Sequence, residues 1–145
     1  MDFATASNAT RSAAAPKVLL FVDDDPDFLA LMEIYLNESL PSVEMLHAPS
    51  GEAALETLRT RHVDMILSDF RMPRMDGIEF LAHARESHGN IPLVLFTTYP
   101  DTDLLRRARE EAGVQEFYSK DLPPEALVRK IEAALFEHAE QSPHA

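Results

Sequence analysis

Cysteine is absent from this chain of 145 residues, glycine occurs only four times, and basic side chains are scarce. Without cysteine there can be no disulfide, no thiol nucleophile and no thiolate metal site. So few glycines leave no glycine-rich loop of the kind that cradles a nucleotide phosphate. Thirteen Lys and Arg stand against 25 Asp and Glu, a net charge of −12. That field repels nucleic acid, so direct DNA or RNA binding is not expected. Long apolar runs are missing too. The longest, Val18 to Val22, has strand length and falls far short of the ~18 residues a membrane span needs. The N-terminus has neither a basic nor an apolar signal region, which argues against secretion and makes the cytoplasm the default location.

What is present suits one compact α/β domain, with 46% apolar and 26% charged residues. Residues 1–16 are rich in Ala, Ser and Thr without apolar periodicity and read as a flexible leader. A transit peptide is disfavoured there, since a single Arg faces Asp2. Residues 139–145 read as a tail, leaving 17–138 as the domain.

Between the ends, short apolar segments alternate with amphipathic ones. Strands are expected over 18–22, 43–47, 63–68, 92–97 and 114–119. Helices are expected over 26–39, from Ser50 through Leu58, over 78–87, over 101–112, and from Pro123 through Leu135. This alternation implies a parallel sheet with right-handed crossovers and helices on both faces.

In such sheets, sites form beyond the carboxyl ends of the strands. The first strand is followed by Asp23, Asp24 and Asp25, and the third ends at Asp69. Thr97 and Thr98 end the fourth, and Lys120 follows the fifth. Carboxylates gathered at one rim repel each other unless cations lie among them. Lys120 is one cation. A hard divalent ion, Mg2+ or Mn2+, would complete the set, because Mg2+ favours a few carboxylates together with waters and phosphate oxygens. Phosphoryl transfer to an Asp is the matching chemistry, with Lys120 and the Thr97 hydroxyl contacting the phosphoryl oxygens.

The segments Val22-Asp23-Asp24-Asp25-Pro26, Leu67 to Gly77, Phe96-Thr97-Thr98 and Tyr118-Ser119-Lys120 together resemble the receiver domain of two-component response regulators. The likeness extends from Lys17 to His138, and Asp69 to Gly77 is its most specific piece. It implies a doubly wound five-stranded parallel sheet in order 2-1-3-4-5, the flavodoxin-like fold. It further implies that Asp69 is the phosphoacceptor, that Asp23, Asp24 and Asp69 hold the metal with the Arg71 backbone carbonyl, and that Thr97 and Phe117 form the switch. The implied donors are histidine kinases or histidine phosphotransfer proteins. The implied output is a surface on the fourth helix, fifth strand and fifth helix, read by a downstream protein and compatible with a phosphorylation-dependent homodimer. No turnover of an external substrate is implied.

Some residues depart from the family pattern. Asp121 stands where a cis proline is common, and a trans Lys120–Asp121 bond is expected because a non-proline cis bond costs about 2.5–4 kcal/mol. Thr98 replaces a smaller residue, and Arg71 and Tyr99 occupy positions that tune phosphoryl lifetime. Phe117 has no hydroxyl, so its swing is purely a matter of packing. Asp25 and Asp76 read as helix-start residues. Arg106, Arg107 and Arg109 read as a solvated helix face, and the six histidines show no zinc spacing.

Three other readings compete with this one. A phosphatase resembling the haloacid dehalogenase superfamily would use the Asp-x-Asp pattern within Asp23-Asp24-Asp25. A receiver-like module that acts without phosphate would suit the Asp121 and Thr98 departures, but the intact Asp69, Thr97 and Lys120 set argues otherwise. A nucleotide-binding Rossmann domain would need the glycine loop that is missing.

Overall fold

The computed structural model describes residues 15–98, 100–114 and 116–137. The expected tail, Tyr99 and most of the expected leader lie outside these residues.

Five parallel strands, β1 Lys17–Val22, β2 Val43–Ala48, β3 Met65–Asp69, β4 Leu93–Thr97 and β5 Glu116–Ser119, form one sheet in order β2-β1-β3-β4-β5. Five helices connect and close it: α1 Pro26–Ser39, α2 Gly51–Thr60, α3 Gly77–His88, α4 Thr102–Ala112 and α5 Pro124–Glu132. The last helix widens into a π-helical segment, Ala133–Glu137. The expected fold and strand order are those observed.

Side chains alternate across each strand and feed two separate cores. Leu19, Phe21, Met65, Leu67, Val94 and Phe96 point to the face covered by α1 and α5, against Leu29, Leu36, Leu127 and Ile131. Leu20, Val22, Ile66 and Leu95 point to the opposite face, against Ala54, Leu58, Phe80, Leu81, Leu104 and Ala108 of α2, α3 and α4. With both faces covered, the central strands read as unbroken apolar runs.

Helix starts follow local polar chemistry. The Asp25 carboxylate accepts from the Asp27 and Phe28 N–H groups, and Ser50 Oγ accepts from Ala53 N–H. Asp76 and Glu79 make a reciprocal capping box at the start of α3. Asp25 and Asp76 thus serve as helix caps.

Some boundaries fall later than the sequence pattern suggests. β3 begins at Met65 rather than Val63, because Asp64 turns onto the start of β1: its N–H donates to Val18 O and its carboxylate accepts from Val18 N–H. β5 begins at Glu116 rather than Val114. Gly113, at φ 66°, ends α4 in the left-handed region, and Val114 N–H closes back onto Ala108 O.

One glycine is dictated by close approach. Gly77 N–H donates to Phe70 O, and a Cβ placed there would lie 2.1 Å from Asp69 O and 2.9 Å from Phe70 Cα. The start of α3 is therefore pressed against the backbone that carries Asp69. Gly77→Ala is expected to cost about 3 kcal/mol, read from the urea unfolding midpoint. A variant within about 0.5 kcal/mol of wild type would refute this tight apposition.

Candidate functional site

The carboxyl ends of the strands meet at one rim, above a cleft of about 520 Å3 lined by Asp23, Asp24, Asp69, Arg71, Thr97, Thr98 and Lys120 among others. Register produces this convergence. Val22 is level with Ser68, Asp69 with Phe96, and Thr97 with Ser119, so the residues following each strand emerge together.

Asp23 is almost fully buried, and both of its oxygens are engaged. Oδ1 accepts from Asp25 N–H at 3.0 Å and Oδ2 from Lys120 Nζ at 2.9 Å. Asp69 Oδ1 accepts from Phe70 N–H at 2.9 Å and lies 3.1 Å from the same ammonium. Asp24 is exposed at the mouth. One oxygen from each of Asp23, Asp24 and Asp69 lies within 4.8 Å of the others.

Lys120 is held at both ends. Its N–H donates to Thr97 O at 3.1 Å, which fastens the end of β5 to the end of β4. Its ammonium lies 5.2 Å from the Phe28 ring centroid and 5.6 Å from that of Phe96. These rings stack with each other and meet Phe21 edge-on, giving the cation aromatic faces as well as carboxylates.

Burial raises the Asp69 pKa above the ordinary carboxylate value, and the charge of Asp23 pushes the same way, while Lys120 opposes both. Burial works against the charged form of Lys120, yet the Asp23 hydrogen bond and the Asp69 charge outweigh it and raise its pKa. The cluster is thus short of positive charge: three carboxylates face one ammonium.

Phe117 is half-buried on the α2/α3/α4 face, level with Leu95. Tyr118 lies on the other face, where its hydroxyl donates to Lys130 O and burial pushes its pKa up to about 12. The Lys120–Asp121 bond is trans, as no cis bond occurs among the described residues.

The solvated reading of the α4 arginines needs correction at one residue. Arg106 is exposed and pairs with Asp103 and Glu110 along its own helix. Arg107 instead turns into the cleft, 5.9 Å over the Phe70 ring, with Asp76 3.6 Å away. Sequence pattern also overlooked Phe28 and Phe96 as the seat of the lysine. The one available signal was an aromatic directly before Thr97. His47 and His62 pair with Glu33 and Asp64, and neither lines the cleft. His138 and His144 lie outside the described residues.

The sequence model described as "Response regulator receiver domain" matches residues 19–132. The chain belongs to that family. It is similar to the transcriptional regulatory protein GlrR of Escherichia coli (strain K12), at 34% identity over 127 residues, covering 86% of this chain and 27% of that one. It is also similar to the cyclic di-GMP phosphodiesterase response regulator RpfG of Xanthomonas campestris, at 32% identity over 75% of this chain and 29% of that one. The chain therefore spans little more than a quarter of the length of these relatives. Among solved structures, it resembles the signal receiver domain of an HD domain-containing protein from Pseudomonas fluorescens Pf-5, with TM-score 0.78, 26% identity, and coverage of 86% of this chain and 98% of that one. The Vibrio cholerae chemotaxis protein CheY4 gives TM-score 0.76 at 25% identity, over 83% of this chain and 100% of that one.

Family and geometry together dispose of two alternatives. A dehalogenase-type nucleophile at Asp23 would be a buried carboxylate with both oxygens already bonded. A Rossmann reading fails at the first strand's end, where carboxylates stand in place of a phosphate-cradling loop. Among the described residues, no helix is long and apolar enough to cross a membrane.

The raised Asp69 pKa has a consequence for stability. A group whose folded pKa lies above its unfolded value weakens the fold as pH rises through the raised value, and leaves it unaffected once both states are protonated. Asp69→Asn is therefore expected to raise the thermal midpoint at neutral pH in metal-free buffer, with the gap to wild type closing as pH falls through the raised folded value and gone below about 3.9. Coincident midpoints at neutral pH would mean that Lys120 fully offsets the burial of Asp69.

Proposed function

We propose that this receiver domain is a switch that takes a phosphoryl group on Asp69 from a histidine kinase or a histidine phosphotransfer protein. The observation that carries this is the cluster itself: three carboxylate oxygens within 4.8 Å, with Lys120 Nζ 2.9 Å from Asp23 and 3.1 Å from Asp69. We take residues 17–138 as the working unit.

The donor set suits a divalent ion. Every candidate ligand is an oxygen, the cluster carries more negative than positive charge, and Asp24 stands open to solvent. Asp23, Asp24, Asp69 and the Arg71 carbonyl would hold Mg2+, or Mn2+ in its place. Once bound, the ion supplies positive charge for the phosphoryl oxygens.

Asp69 Oδ1 is engaged by Phe70 N–H and Lys120, which leaves Oδ2 to attack. A bond forms between that oxygen and phosphorus as the phosphorus–nitrogen bond of phosphohistidine breaks, and the imidazole leaves with the bonding pair and takes up a proton. Lys120 and the Thr97 hydroxyl accommodate the phosphoryl oxygens, so catalysis is a matter of positioning and charge. The domain changes its own state and turns over no external substrate.

Phosphorylation adds ~1.5–2 negative charges and new acceptor oxygens at the rim. Thr97 turns toward them, and Phe117 packs into the space vacated beside β4. The surface of α4, β5 and α5 shifts as a population between two packings. A downstream protein reads that surface, or a second copy binds it as a homodimer. The charge of −12 points to a protein target rather than nucleic acid, met in the cytoplasm.

Intact-mass measurement after incubation with Mg2+ and acetyl phosphate is expected to show one added phosphoryl group on wild type and none on Asp69→Asn. Label persisting in the variant would move the nucleophile elsewhere. Phosphate-ester turnover that depends on Asp23 would point to a phosphatase instead. Amide shifts at Phe117 and Leu104 that ignore a beryllofluoride mimic would refute the coupling.

A further inference from the structure

From the placement of its guanidinium, we infer that Arg107 on α4 is a specificity-determining residue that recruits small anionic phosphodonors, such as acyl phosphates, to the cleft over Asp69. The inference rests on Asp69 being the phosphoacceptor.

The charge of the cleft sets the problem. Its lining holds Asp23, Asp24, Asp25, Asp69, Asp101 and Asp103, so an anionic donor entering it is repelled. Lys120, the deepest cation, is already shared by Asp23 and Asp69. Arg107 is the cation that α4 adds to the same lining.

Its restraints grip one side of the guanidinium. The guanidinium faces the Phe70 ring at 5.9 Å, and Phe70 directly follows the acceptor and donates its N–H to it. Glu111 takes Nε and Nη2 through two hydrogen bonds of 3.2 Å each, and Asp76 forms an ion pair with Nη2 at 3.6 Å, so the held side of the fork is Nε and Nη2. A guanidinium has five N–H donors in a planar fork that matches phosphate oxygens, so part of it can turn to a donor while Glu111 keeps the rest. At 29% side-chain exposure it is shielded from bulk water more than its neighbour Arg106, at 52%. Partial burial strengthens its attraction for an anion at the cleft mouth.

A purely structural role predicts something different. In that case the guanidinium would only tie α4 to Phe70 and Asp76, and its loss would affect every donor alike. Recruitment instead acts on donor capture, scales with donor charge and is screened by salt.

The test measures initial phosphorylation rates against acetyl phosphate concentration, with saturating Mg2+, for wild type, Arg107→Gln, Arg107→Lys and Arg106→Gln. Arg106→Gln removes the same charge from the same helix outside the cleft. Arg107→Gln is expected to lower the apparent second-order rate constant by about threefold or more, with most of the loss recovered by Arg107→Lys. The final extent of Asp69 labelling and the Mg2+ affinity should match wild type. The deficit should shrink with phosphoramidate, a donor of lower charge, and vanish near about 1 M salt, where screening acts within ~3 Å. An Arg107→Gln rate equal to that of Arg106→Gln, a deficit equal for both donors, or weakened Mg2+ binding would overturn the inference while leaving Asp69 as acceptor. Wild type that takes no label on Asp69 would overturn the acceptor reading and this one with it.

Discussion

The ammonium of Lys120, set between Asp23 and Asp69, is the contact on which the rest of the site depends. Two carboxylates this buried and this close cannot both stay ionised without a cation between them. Lys120 meets the requirement only in part, because the Asp69 pKa remains raised by burial and by Asp23. The fold thus holds a deliberate shortage of positive charge at its rim. Such a shortage is a binding site in energetic terms, since a divalent ion or a rearranged proton relieves it and anything that binds the folded state alone stabilises it.

Backbone and core fix where that shortage sits. Lys120 N–H on Thr97 O ties the last two strands together at the point where the ammonium begins its reach. Phe28 comes from the first turn of α1 and Phe96 from the end of β4, so the seat of the lysine joins both ends of the α1/α5 face. On the other face, Gly77 lets α3 press against the Asp69 backbone. Packing on both faces of the sheet therefore holds Asp69 from beneath, with its carboxylate facing the cleft.

The parts legible in the sequence were those with a strong local signature. Alternating apolar segments gave the strands and helices, and parallel order followed from the crossovers. Asp23, Asp24, Asp69, Thr97 and Lys120 were readable because a parallel sheet brings all strand ends to one rim. Other features had no local signal. The late start of β3 depends on Asp64 bonding to Val18, a residue 46 positions earlier. Arg106 and Arg107 differ by one position, and whether the helical rotation carries one of them over the cleft is decided by how α4 packs, through Leu104 and Ala108. Composition and charge alone give both the same solvated reading.

The loop after Lys120 shows how a departure from the family pattern can be accommodated. A proline common at the next position would fix the chain direction by its ring. Here Asp121 takes that place, and the turn is closed by hydrogen bonds: Asp121 N–H donates to Ser119 Oγ at 3.0 Å, and Leu122 N–H to Ser119 O at 3.2 Å. Proline could supply neither the first of these donors nor its bond, so Ser119 and Asp121 act as a pair. Pro123 and Pro124 then start α5 directly beyond the turn. The restraint a single ring would supply is thus spread over a serine, a backbone amide and a proline-led helix start, and the lysine at its head keeps its bond to Thr97.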